Sequence, residues 1–200
     1  MPLPRTPRDT LALRNKVFDI IKRLSFLRGS FVLSSGRTSN YFLDMKPTML
    51  HPEGASLLAE LVLNKLEGVK VHYIGGLAMG AVPLVSQIAM LSHARGRPVP
   101  GFFVRKAVKD HGTQKLIDGV KQGDLAGMSV VILEDVTTTG DSAMVAVKAA
   151  QDAGANIELV LSIVDREEGA AEFFAKQNIP FKWLFRASEL LGATEPGSGS

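Results

Sequence analysis

The run from Ser129 to Leu133, SVVIL, is apolar without polar alternation and stops on two adjacent acids, Glu134 and Asp135. A strand of that kind has to be covered on both faces, because a half-solvated strand alternates polar and apolar positions. Comparable short runs recur at Val71 to Gly75, Gly101 to Val104, Ile157 to Val164 and Phe181 to Phe185. Between them lie stretches with helical spacing: Ala81 to Leu91, Ser142 to Ala153 closed by Gly154, and Gly169 to Gln177. Strands interleaved with helices predict an α/β fold with a central, mostly parallel sheet flanked by helices.

The first third of the chain reads differently. Thr10 is expected to cap a helix with the stripe Leu13, Val17, Ile20, Ile21 and Leu24. Phe31 to Leu33 and Tyr41 to Leu43 flank the polar turn SSGRTSN, which predicts a hairpin. Pro52 then starts a helix carrying Leu57, Leu58, Leu61, Val62 and Leu66, with Gly68 near its end. Residues 1–9 hold three prolines and read as a flexible lead-in, and residues 193–200 as a flexible polar tail. One domain over residues 10–192 is therefore expected. Residues 105–123 are polar and weakly periodic inside the α/β pattern, as a lid or an insertion would be.

Composition narrows the chemistry. The chain has no cysteine, which excludes disulfides, thiolate metal sites and cysteine nucleophiles and suits a reducing compartment. A net charge of +3, with no basic face interleaved with aromatics, points away from nucleic acid. Tyr73 to Ser92 carries no charge, but Gly75, Gly76, Gly80 and Pro83 suit a strand, loop and helix better than a membrane span. With no apolar leader in MPLPRTPRD, the expected location is the cytoplasm.

The turn Thr137 to Ser142 offers backbone N–H groups and hydroxyls at a helix start, which suits a phosphate monoester. Glu134 and Asp135 would repel that phosphate on contact, and are better placed to accept hydrogen bonds from sugar hydroxyls beside it. The bland reading is a strand ending in a capped helix with solvated acids. Gly75 to Gly80 matches the opening of a P-loop, but Ala81 and Val82 follow where lysine and serine or threonine are required. Arg105, Lys106, Lys109 and His111 place three cations and an imidazole close together, which suits a departing diphosphate or is simply a solvated basic loop. His51, His72 and His93 lack metal-ligand spacing.

Residues 130–142 resemble the phosphoribosyl diphosphate (PRPP) motif of type I phosphoribosyltransferases, and RKAVKDHG resembles the catalytic loop of the orotate phosphoribosyltransferases. FVLSSGRTSNYF, GGLAMGAVP and VDREEGA agree, so the likeness runs from about residue 10 to 192. It implies the type I fold, with a small N-terminal hood over about 10–50 and a mobile loop over about 105–123. It also implies transfer of the 5-phosphoribosyl group from PRPP to orotate, giving orotidine 5′-monophosphate and diphosphate, a step of pyrimidine synthesis. Another nucleobase, or a regulator that senses PRPP, are the alternatives.

By the same resemblance, Glu134 and Asp135 would hold the ribose hydroxyls, with Asp135 also among the catalytic groups. Val136 belongs to the same PRPP stretch, and Thr137, Thr138, Thr139, Gly140, Asp141 and Ser142 would cradle the 5′-phosphate. Gly76 and Gly80 would grip the diphosphate. Arg105, Lys106, Lys109 and His111 would be catalytic groups on a lid that reaches into the neighbouring subunit, which implies a homodimer. Arg166 would read orotate, with Tyr41, Phe42 and Thr138 around the base. Many relatives carry lysine where this chain has Ser34 and Gly80, and Lys46 is a candidate substitute near the base. Mg²⁺ would be held mainly by substrate and water, with no direct protein ligand.

Overall fold

The computed structural model describes residues 7–32, 36, 38–106 and 116–192, with the backbone alone at 7–9. At its centre β6 (Ser129–Thr137) sends Val131 and Leu133 into one hydrophobic cluster and Val130 and Ile132 into another. All four are fully buried, so the run is covered on both faces as its composition requires. Its parallel neighbours are β3 (Tyr73–Gly75) on one side and β7 (Asn156–Asp165) on the other, and β8 (Phe181–Arg186) pairs parallel to β7. The order is β3–β6–β7–β8.

One face is covered by α1 (Pro7–Leu24), α3 (Pro52–Lys65) and α4 (Ala81–Ala94), through Val17, Leu58 and Ile88 among others. The other face is covered by α5 (Asp141–Asp152) and α6 (Ala170–Lys176), where Val147 and Phe174 are fully buried. The hairpin is β1 (Phe26–Val32) paired antiparallel with β2 (Thr38–Leu43). It is fastened to the sheet domain through α2 (Lys46–Leu50): Ser25 and Thr48 share a buried hydroxyl–hydroxyl hydrogen bond of 2.7 Å. The chain closes on α7 (Ala187–Gly192).

Several boundaries differ from the sequence expectation. α1 begins at Pro7 and not at Thr10, since proline's fixed φ suits a first helical turn. β6 does not stop at Leu133 but runs on through both acids to Thr137. β1 starts at Phe26 because a register shift between Arg28 and Phe31 breaks the alternation that would reveal it. Within 105–123, β5 (Ile117–Asp118) pairs antiparallel with β4 (Phe103–Val104), and Ile117 and Val120 pack on the core. The second part of that segment is therefore folded. Gly101 to Val104 joins the main sheet only through the parallel bridges Ile74–Gly101 and Leu77–Val104. Among the described residues, no helix is long and apolar enough to cross a membrane.

Candidate active site

The carboxyl ends of parallel strands are where an open α/β sheet leaves room for ligands. β6 delivers Glu134 there at 7% exposure. Its carboxyl is pushed up to about 8, first by burial, then by the charge and hydrogen bonding of Asp135, with Lys106 pulling the other way. Glu134 Oε2 is buried and has no hydrogen-bond partner among the described residues. Asp135 is half-buried and rests against Gly80: a Cβ on that glycine would stand 2.6 Å from Asp135 Oδ1. A Cβ on Gly76 would stand 2.3 Å from the carbonyl oxygen of Leu133. The β3–α4 loop is thus pressed onto the acidic end of β6, and a side chain at position 80 has to push Asp135 aside. The peptide between Ala78 and Met79 in this loop is cis.

Beyond the acids the predicted cradle divides in two. Val136 packs against the core, and Thr137 is buried with Oγ1 donating to Ser162 Oγ at 2.9 Å, so its hydroxyl is committed to the sheet. Thr138, Thr139, Asp141 and Ser142 are exposed at the start of α5. Thr139 Oγ1 donates to Asp141 Oδ2 at 2.7 Å. Gly140, at φ 96°, makes the left-handed turn into the helix, and a Cβ there would lie 2.9 Å from the rings of Phe173 and Phe174. The anion-binding character rests on the backbone of the first turn of α5 and on the hydroxyls of Thr138 and Ser142.

A concavity of about 500 Å³ opens between β2, the turn after β7, and α7. Tyr41 and Arg166 line it together, the guanidinium 4.7 Å above the phenol ring. Burial raises the Tyr41 hydroxyl above its ordinary range, and Arg166 opposes the shift. Arg166 Nε lies 2.9 Å from Glu168 Oε1. Phe42 is not among the residues lining this cleft. Successive strand residues point to opposite faces, and Phe42, 41% exposed, packs instead with Phe31 at 5.6 Å between ring centroids. Lys46 does not line it either. It is exposed and pairs with Asp44 at 2.7 Å, and Asp44, aided by Asp135, raises its pKa.

Arg105 is not a free cation on a lid: it forms a charge-paired contact with Asp118 across the β4–β5 ribbon. Lys106 is exposed, with its charge felt at Glu134. Lys109, His111 and Ser34 lie outside the described residues. Among the described residues no cluster of three histidine or acidic groups stands ready to hold a metal ion, and His72 Nδ1 accepts from the Ser129 N–H at 2.9 Å. Sequence reasoning missed Glu167 and Glu168, which adjoin Arg166 in VDREEGA, and Ser188 and Asp118, which no motif marks.

No family model matches the chain. An orotate phosphoribosyltransferase of Rhodopseudomonas palustris (strain TIE-1) is 53% identical over 181 residues, covering 90% of this chain and 97% of the relative. The orotate phosphoribosyltransferase of Mycobacterium tuberculosis H37Rv, crystallised with Fe(III) dicitrate, superposes with a TM-score of 0.79 at 35% identity, over 90% of this chain and 99% of that one. A crystal structure of the same mycobacterial enzyme in complex with PRPP gives 0.74 at 32% identity, over 89% and 98%.

Proposed function

This chain belongs to the orotate phosphoribosyltransferase family, and we propose that the acidic end of β6 with the first turn of α5 receives PRPP and that the Tyr41–Arg166 cleft receives orotate. The protein transfers the 5-phosphoribosyl group of PRPP to orotate, giving orotidine 5′-monophosphate and diphosphate. The observation that carries the site assignment is the end of β6: a buried acid with an unpartnered oxygen, Glu134 Oε2, beside Asp135. Buried acceptors need donors, and the vicinal hydroxyls of a ribose supply them. The phosphate lies downstream, on the first turn of α5. In the cleft, Arg166 takes the carboxylate of orotate while Tyr41 backs its guanidinium.

The C1–O bond to diphosphate breaks with its electron pair leaving on oxygen, while orotate N1 forms the new bond from the opposite face and releases its proton to the departing diphosphate or to water. Positive charge grows on the ribose as negative charge grows on the leaving group. Lys106 stands on the acidic side of the site, where its charge is felt at Glu134 and would oppose charge growing on the departing diphosphate. Lys109 and His111, next in the sequence, are proposed to add to that positive charge. Among the described residues no cluster of three acidic or imidazole groups could hold a metal ion, which fits a Mg²⁺ held mainly by substrate oxygens and water. When bound, the ion neutralises diphosphate charge.

Mixing orotate, PRPP and Mg²⁺ with the protein is expected to lower the orotate absorbance as product forms. An unchanged absorbance alongside turnover of a different base would replace orotate as the substrate. The homodimer with shared sites has its own test. Lys109→Ala protein mixed with Asp135→Asn protein is expected to regain part of the lost activity. No recovery despite demonstrated subunit exchange contradicts sharing.

A further inference from the structure

We propose that Glu168 is a positioning residue, which fixes the in-plane orientation of the Arg166 guanidinium and thereby sets affinity for the carboxylated base. The inference rests on the reading of Arg166 as the orotate contact. An arginine head on a flexible stem needs two independent restraints to present a defined edge. Stacking on Tyr41 at 4.7 Å fixes the plane. Rotation within that plane is opposed, in addition to the Tyr41 hydroxyl, by Glu168, whose Oε1 is 2.9 Å from Nε, with the Arg166 side chain at 9% exposure and that of Glu168 at 22%. Nε has no hydrogen-bond partner among the described residues, so the contact with Glu168 is an ion pair.

The backbone beneath is restrained as well. Glu167 sits at φ 60°, its N–H donates to Asp165 Oδ1 at 2.9 Å, and its Oε2 accepts from the Ser188 N–H of α7 at 2.9 Å. The turn carrying Arg166 and Glu168 is thereby tied to the far wall of the cleft. A competing expectation comes from charge alone. Glu167 and Glu168 outweigh Arg166 in a pocket meant for an anion, so removing one acid would tighten orotate binding if orientation counted for nothing.

The sign of the effect decides. In the full-length protein with Mg²⁺, Glu168→Ala is expected to raise the KM for orotate about tenfold, as for a misplaced charge-assisted contact. The KM for PRPP should change less than about twofold, since the other half-site is untouched. Glu168→Gln, which keeps the reach but not the charge of the ion pair, is expected to share most of the loss. In an Arg166→Lys background, Glu168→Ala should add nothing. An orotate KM that is unchanged or lower in Glu168→Ala overturns the proposal, as does an equal rise in both KM values. If Glu168→Ala does not fold, Glu168→Gln carries the test: it should raise the KM for orotate while the KM for PRPP stays within about twofold, and an orotate KM that is unchanged or lower overturns the proposal. Wild-type protein that turns over no orotate at all refutes the underlying activity instead.

Discussion

The acidic end of β6 and the cleft beneath the hairpin lie at the same edge of one sheet, yet they are held in shape by different means. At β6 the precision comes from backbone contact. Gly76 lies against the Leu133 carbonyl and Gly80 against Asp135, leaving no room for a single added carbon. In the cleft it comes from side chains drawn from three distant parts of the chain: Tyr41 on β2, Arg166 and Glu168 after β7, and Ser188 on α7. The region proposed for PRPP is thus close-packed and short of freedom, whereas the cleft proposed for orotate is held by side-chain contacts that can be loosened one at a time.

Adding a methyl group at either glycine is the harshest way to break this contrast. Gly76→Ala sets a Cβ against backbone and is expected to cost about 3 kcal/mol of stability in chemical denaturation. Gly80→Ala meets only a side-chain carboxylate, which can swing away. It should leave the denaturation midpoint almost unchanged and weaken PRPP binding by about tenfold, because Asp135 is displaced from its place. If both variants lose stability equally, the loop is not fitted around Asp135.

Glu134 offers a pH signature of the packed half. Its carboxyl is raised from 4.5 to about 8, so the folded state keeps a proton that the unfolded state has already released. Its contribution to stability is full below the unfolded value, falls as pH rises between 4.5 and about 8, and is lost above that. Glu134→Gln stays neutral throughout. Its melting temperature relative to wild type is expected to climb over the same interval, and a constant difference would place the titration elsewhere.

The smallest effect belongs to the cleft. Arg14 reaches from α1 to Glu189 at 2.5 Å and lies 4.6 Å over the Phe185 ring, bracing α7. Both charged side chains are about one-third exposed, so Arg14→Ala should cost only about 1 kcal/mol. It should disturb orotate affinity in preference to PRPP affinity. An effect on PRPP alone would mean that α7 serves the wrong half.

The same contrast explains what could be read from the chain beforehand. Residues 130–142 are contiguous, so their apolar run, acids, hydroxyls and glycine were legible together, and so was the sheet they belong to. The cleft is discontinuous. Arg166 is identified only through resemblance, Glu168 carries no signal beyond its place in VDREEGA, and Ser188 carries no signal at all. The Tyr41–Phe42 pair shows a signal left unused: adjacent strand residues cannot both face one pocket, and period-two geometry alone separates them. Thr137 failed as a free hydroxyl because β6 runs four residues past the apolar run, which carries its side chain into the sheet beside Ser162. Elements such as α2, β5 and α7 are too short to display a period.

The division of labour between the two halves is tested most directly by calorimetric titration of PRPP, with Mg²⁺ present, into wild-type protein, the Glu134→Gln/Asp135→Asn double variant, and Arg166→Ala. The account predicts that Arg166→Ala binds PRPP as wild type does and that the double variant does not bind it measurably. Undiminished PRPP binding by a folded double variant would contradict it.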